Sequence, residues 1–188
     1  MAPPRKGDEM ARIFIDPGHG GVDCGALYGY HHEADYNLAI ALHLEAELRL
    51  RGMIVEMSRR DDIGVILGDR VAMAQTFKPD AFVSIHCDAW HSETAKGYST
   101  HVAPKGDHAL GGHIHFRLQE ALNGHKDRGL RESDFYVLRN TAAVRIPSAL
   151  VECEFISNPE TAAFLKEPAN QRKIALAIAA GIMNYLAY

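Results

Sequence analysis

Residues 11–21, ARIFIDPGHGG, are an apolar run cut off by Pro17-Gly18. The run Ala11–Asp16 predicts a buried strand, because a short apolar stretch bounded by turn residues has the length and composition of one. Working outward, Ala34–Arg51 predicts a helix: Ile40, Ala41, Leu44 and Leu48 fall on one face, and Gly52 stands where a C-terminal cap belongs. Met53–Met57 predicts a short strand, and Gly68–Phe77 a helix that ends before Pro79. Ala81–His86 (AFVSIH) and Ser148–Cys153 (SALVEC) predict two further buried strands, and Gly97–Val102 a half-exposed one. Ala109–Leu122 is helical up to Asn123-Gly124, and Ile174, Ala177, Ile178, Gly181, Ile182 and Tyr185 form a last helical stripe. Strands alternating with helices predict an α/β fold: three layers, with a largely parallel or mixed central sheet of about six strands and helices on both faces.

A length of 188 residues with no second linker, repeat or low-complexity stretch fits one domain over residues 11–188. Residues 1–10 (MAPPRKGDEM) read as a flexible N-terminal tail. The net charge of −4 argues against a nucleic-acid binder, and Arg59-Arg60 is followed at once by Asp61-Asp62 rather than by more basic residues. No apolar run reaches the length of a membrane span. The first ten residues lack the apolar centre of a signal peptide, so the sequence reads as made in the cytoplasm or as trimmed of its leader. The cysteines, Cys24, Cys87 and Cys153, are odd in number and contain no CxxC pair, which argues against both a disulfide framework and a cysteine-type zinc site. Most of the eleven histidines read as surface residues. Nothing suggests an oligomer, so a monomer is expected.

In open α/β sheets, ligands bind beyond the carboxyl ends of the strands. His19 follows the first predicted strand, His86 ends the next long one, and Glu152 lies at the end of the third. Two histidines and a carboxylate are a common catalytic zinc set, with the fourth position left for water. The third ligand is open at this point: Glu152 is one candidate, and Asp23, His31, His32, Glu33 and Asp35 are others near His19. Asp35 also suits the first turn of a helix, where a negative charge complements the dipole. DPGHGG has no P-loop lysine or Ser/Thr, and HExxH is absent.

The segments Ile13–Ala26 (IFIDPGHGGVDCGA), Glu33–Ala41 (EADYNLAIA), Phe82–Ala89 (FVSIHCDA), Asp127–Gly129 (DRG), Asp134–Arg139 (DFYVLR) and Ala149–Pro159 (ALVECEFISNP) together resemble the zinc-dependent N-acetylmuramoyl-L-alanine amidases of the amidase-3 type. The resemblance runs from near residue 11 to the C-terminus. It implies one Zn²⁺ per chain held by His19, Glu33 and His86, with Glu152 as the catalytic acid/base. It implies hydrolysis of the amide between N-acetylmuramic acid and L-alanine in peptidoglycan, at the cell wall. Two settings fit, a phage or prophage lysin and the catalytic domain of a secreted autolysin. The alternatives are a zinc peptidase acting on stem peptides and a metal-free wall-binding module. Where the family pattern has glycine after VEC, this chain has Glu154. Either it shares a face with Glu152 and raises that residue's pKa, or it lies beyond the strand and faces water. The latter is the expectation. Cys87 and Cys153 each follow a site residue on a strand and are expected to face the core. Trp90 and His91 are expected to line a glycan groove or to cap the loop. The stretch from Asp88 to Gly112 is too short for the long inhibitory insertion of some relatives, so an open site is expected.

Overall fold

The computed structural model describes residues 10–187, so the tail expected at residues 1–10 falls, apart from Met10, outside the described residues. The elements run β1 (Arg12–Pro17), a small β2–β3 hairpin (Leu27–Tyr28, His31–His32), α1 (Glu33–Leu50), β4 (Ile54–Met57), α2 (Leu67–Phe77), β5 (Ala81–Asp88) and β6 (Tyr98–Val102). They continue with α3 (Ala109–Ala121), β7 (Asp127–Glu132), α4 (Tyr136–Ala143), β8 (Ser148–Phe155), α5 (Pro159–Lys166) and α6 (Pro168–Leu186). The main sheet has the order β4-β1-β5-β8-β6-β7. Strands β4, β1, β5 and β8 are parallel. Strand β6 pairs antiparallel with β8, and β7 lies parallel to β6, so the sheet is mixed.

The period of two along a strand sorts the residues of the central strands onto two faces. Ile13 and Ile15 of β1, Val83, Ile85 and Cys87 of β5, and Ala149, Val151 and Cys153 of β8 pack under α1, α3 and α6. Both strand cysteines thus face the core, as expected. Phe14, Phe82 and Leu150 point the other way and pack under α2 and α4 with Val71, Ala74, Val137 and Leu138. Phe14 and Phe82 stack at 5.6 Å on that second face. Asp16, His86 and Glu152 continue its alternation, so β1, β5 and β8 bring their polar ends to the α2/α4 side of the sheet.

One sequence expectation needs correction, and one strand had none. Strand β6 is buried along its whole length rather than half-exposed. Its polar residues are satisfied inside the protein: His101 lies between the hydroxyls of Ser99 (3.0 Å) and Ser133 (2.7 Å), and Thr100 meets His115 at 3.2 Å. Buried polar groups are tolerated when paired. Strand β7 was not predicted, because DRGLRE is a charged edge strand with no apolar alternation. Helices α4 and α5, of eight residues each, are too short to carry a readable stripe.

Gly181 marks the closest approach of α6 to α3. A methyl group there would sit 2.8 Å from the Ile114 nitrogen and nearer still to its Cα. Replacing Gly181 with Ala should therefore destabilise the fold by about 1–3 kcal/mol through overpacking. The melting temperature should fall by about 2–4 °C for each kcal/mol in a chain of this size. An unchanged melting temperature would mean that the helices separate freely.

Candidate metal centre

Three elements bring donor atoms to one point. His19 lies in the loop after β1, Glu33 is the first residue of α1, and His86 is near the end of β5. One ligand atom from each lies within 4.8 Å of the others, and this is the only such group of three among the described residues. His19 Nε2 is 3.2 Å from Glu33 Oε2, and His86 Nδ1 is 2.9 Å from Glu33 Oε1. The rival candidates Asp23, His31, His32, Asp35 and Glu152 are not in the group. Asp35 is in the first turn of α1, as its dipole role requires.

The backbone is shaped to make this meeting possible. His19 has φ 60°, a left-handed conformation that a non-glycine residue adopts only at a cost. Gly18 passes under the His86 ring, where a Cβ would stand 2.7 Å from Nδ1 and closer to other ring atoms. Gly25, at φ 68°, passes equally close to Glu33 and His19, and a Cβ there would be 2.6 Å from each.

Buried arginines hold the loop. Arg59 Nε donates to Pro17 O at 3.1 Å, and its Nη2 donates to Gly18 O and Ala34 O, both at 2.8 Å. Arg70 Nη1 donates to Pro17 O at 2.7 Å, and its Nη2 donates to His19 O at 2.8 Å. Arg70 also pairs with Asp16 at 2.7 Å, and that carboxylate accepts from Ser58 and Ser84 as well. Local spacing carries no signal for Arg59 or Arg70, because their partners at the site lie 25 to 54 residues back along the chain.

The side chains around the donors orient them. His19 Nδ1 meets Asp23 Oδ2 at 2.9 Å, which turns Nε2 toward Glu33. Glu33 accepts from Ala26 N (2.9 Å), Asn37 Nδ2 (3.1 Å) and Cys87 N (3.3 Å). Asn37 is four residues after Glu33 on α1, so helical spacing was a signal by which it could have been found. The hydrogen bond to Glu33 is the largest influence on His19, and with help from Asp23 it lifts the imidazole to about 9 against the pull of burial. Burial alone would push Glu33 up, but its bonds to His19 and His86 together hold the carboxyl well below the usual range. Two imidazole nitrogens around a locked carboxylate fit a divalent cation, which would take the place of the protons they now share.

Glu152 pairs with His86 across β5 and β8. Burial pushes its carboxyl up to about 7, with Glu33 and Asp88 adding to the rise. Its Oε2 is buried with no hydrogen-bond partner. Glu154 is not among the causes, and it does not face water. Between His86↔Glu152 and Asp88↔Phe155, β8 uses one more residue than β5, and this bulge turns the Glu154 side chain away from Glu152. Glu154 is fully buried, accepting from Gly97 N at 2.7 Å and meeting His125 Nδ1 at 2.9 Å. The Trp90 and His91 rings pack against one another at 4.6 Å, tilted by 40°, and do not line the cleft beside the metal centre.

A mixed α/β sheet that gathers a two-histidine, one-carboxylate cluster and an unpaired acid at its strand ends has the groups a hydrolase needs, with donors that could hold a metal ion. Residues 13–184 match the N-acetylmuramoyl-L-alanine amidase family. The chain is 37% identical over 180 residues to YqiI of Bacillus subtilis, covering 94% of this chain and 85% of that one. It is 36% identical over 177 residues to the N-acetylmuramoyl-L-alanine amidase LytC of Bacillus subtilis, covering 92% of this chain but 35% of LytC. The catalytic domain of CwlV, the N-acetylmuramoyl-L-alanine amidase of Bacillus (Paenibacillus) polymyxa var. colistinus, superposes with a TM-score of 0.89 at 34% identity, over 94% of this chain and 98% of that one. The chain belongs to the N-acetylmuramoyl-L-alanine amidase family and is an enzyme of that class.

Removing the Asn37 amide should loosen Glu33. In Asn37→Ala, zinc affinity measured by competition with a chromophoric chelator should fall by about 10–100-fold, the usual cost of losing an outer-shell partner. Unchanged affinity would show that Ala26 and Cys87 orient Glu33 without it.

Proposed function

We propose that this chain cleaves the amide between the lactyl carbonyl of N-acetylmuramic acid and L-alanine in peptidoglycan, using one Zn²⁺ held by His19, Glu33 and His86. The single observation that carries this reading is the convergence of those donors with a buried, partnerless Glu152 oxygen at the strand ends. His19, Glu33 and His86 would hold the zinc ion, which would supply Lewis acidity to the attacking water and the scissile carbonyl. Glu152 takes a proton from the attacking water as the new C–O bond forms. Its carboxyl holds that proton in the buried site, then passes it to the alanine nitrogen as the C–N bond breaks. Burial favours the protonated form of this carboxyl, which lets it carry the proton between the two halves of the exchange. Asp23 and Asn37 keep His19 and Glu33 in place, while Arg59 and Arg70 hold the loop that carries His19. Acting on peptidoglycan places the chain at the cell wall, the setting named for the Staphylococcus aureus relative LytH, a probable cell wall amidase.

Glu152→Gln keeps the shape and removes the proton carrier. Release of free alanine amine from purified peptidoglycan should fall by roughly 10²–10⁴-fold, while zinc content by atomic absorption stays at one per chain. Retained activity would sink the role given to Glu152. Dialysis against a chelator should abolish amine release and lower the melting temperature, and added Zn²⁺ should restore both. Full activity after metal removal would overturn the metal assignment.

A further inference from the structure

An apolar-walled cleft opens beside the metal centre on the α2/α4 side, with Ile66, Leu67, Phe135 and Tyr136 on its walls and Glu152 among the residues lining it. Outside that cleft, on the same face of the sheet, lies a polar chain with no part yet in the reaction. Strand β8 places Glu152 between two neighbours, His86 of β5 on one side and Ser99 of β6 on the other. Residues directly opposite in an antiparallel pair share a face, with Cβ atoms about 4.5–5.5 Å apart. Ser99 therefore stands next to Glu152, yet neither Ser99 nor His101 lines the cleft.

Ser99 is tied in place. Its Oγ meets His101 Nε2 at 3.0 Å, and His101 Nδ1 meets Ser133 Oγ at 2.7 Å. Ser99 and His101 are two apart on β6, so they share the face that carries Glu152 and Leu150. The Phe135 ring packs against the imidazole at 5.2 Å. Ser99 is 2% exposed and His101 8%, so neither turns freely, while Ser133 is half-buried at the outer end of the chain. Burial keeps His101 neutral, pushing the imidazole down to about 4, with Arg131 and His86 adding to the fall. A neutral ring has one donor nitrogen and one acceptor. With Ser133 donating to Nδ1 and Nε2–H donating to Ser99 Oγ, the Ser99 proton is left free for a second acceptor. Across the strand pair stands Glu152, whose Oε2 is buried without a partner. Catalytic hydrogen bonds are often unmade in an empty site and tighten once substrate is bound.

We infer that Ser99 is a positioning residue for Glu152: its hydroxyl, aimed by His101 and Ser133, donates to the Glu152 carboxylate and holds it toward the attacking water. The inference rests on the role given to Glu152 in the amidase reading above. Ser99 binds neither substrate nor metal. Its bond is to the ionised carboxylate, the form that takes the proton. Losing that bond slows the proton transfer and leaves the cleft and the metal centre as they were.

Steady-state release of alanine amine from soluble N-acetylmuramoyl peptides tests this. Ser99→Ala should lower kcat by roughly tenfold, the size of one lost hydrogen bond to a charged group, with KM and zinc affinity unchanged. Ser99→Thr keeps the hydroxyl and should recover most of that loss. Ser133→Ala, at the far end of the chain, should also lower kcat. The double variant should be no slower than Ser99→Ala alone, because one chain is then broken at two points. The inference falls if kcat is unchanged in Ser99→Ala, if zinc affinity drops in step with kcat, or if the two losses multiply. Melting curves check the fold; should Ser99→Ala melt below the assay temperature, Ser133→Ala carries the test, and an unchanged kcat there overturns the inference. If the wild-type enzyme releases no alanine amine from these substrates or from intact peptidoglycan, the amidase reading itself fails. Wild-type release with full kcat in Ser99→Ala overturns only the positioning role.

Discussion

Arg59 and Arg70 grip the backbone carbonyls of Pro17, Gly18 and His19 where the chain leaves β1. Each guanidinium offers five donors in a rigid fork, so two of them can fix three consecutive carbonyls at the end of β1. This grip lets His19 sit at φ 60° and lets Gly18 slide beneath the His86 ring. Unusual backbone of this kind persists only where its surroundings over-determine it. The separation of His19 from His86, and hence the space for a cation, follows from that clamp.

The same region concentrates buried charge, and nearly all of it is compensated. Asp16 has Arg70 and two serine hydroxyls; Glu33 has two imidazoles, an amide side chain and two backbone N–H groups. Even Glu154, fully buried one bulge away, meets Gly97 and His125. An uncompensated buried charge would cost several kcal/mol, so pairing is the rule. Glu152 breaks that rule. It lies in the same low-dielectric pocket with one oxygen unpartnered, and its carboxyl rises toward neutrality as a result. A single unpaired acid among satisfied ones is the pattern of a group kept for chemistry rather than stability.

Much of the fold was legible because its signals are local. The apolar runs at β1, β5 and β8 and the stripes of α1, α3 and α6 bury large faces, and burial writes itself into composition. What escaped notice lacked such a signal. Strand β7 is a charged edge, α4 and α5 are short, and β6 carries polar residues whose partners come from elsewhere in the fold. Glu154 was misplaced because alternation assumes an unbroken strand, and one bulge reverses it.

Sequence alone determined the α/β alternation and the arrival of His19, His86 and Glu152 at three strand ends, since both follow from periodicity and from the rule that sites lie beyond carboxyl ends. Resemblance singled out Glu33 from several nearby donors. Only the tertiary structure decided which of those donors meet, which arginines hold the loop, and that an apolar cleft opens on the α2/α4 side. Those outcomes depend on contacts between residues tens of positions apart. No local pattern records them, because hydrogen bonds and packing act through space, whereas periodicity acts only along the chain.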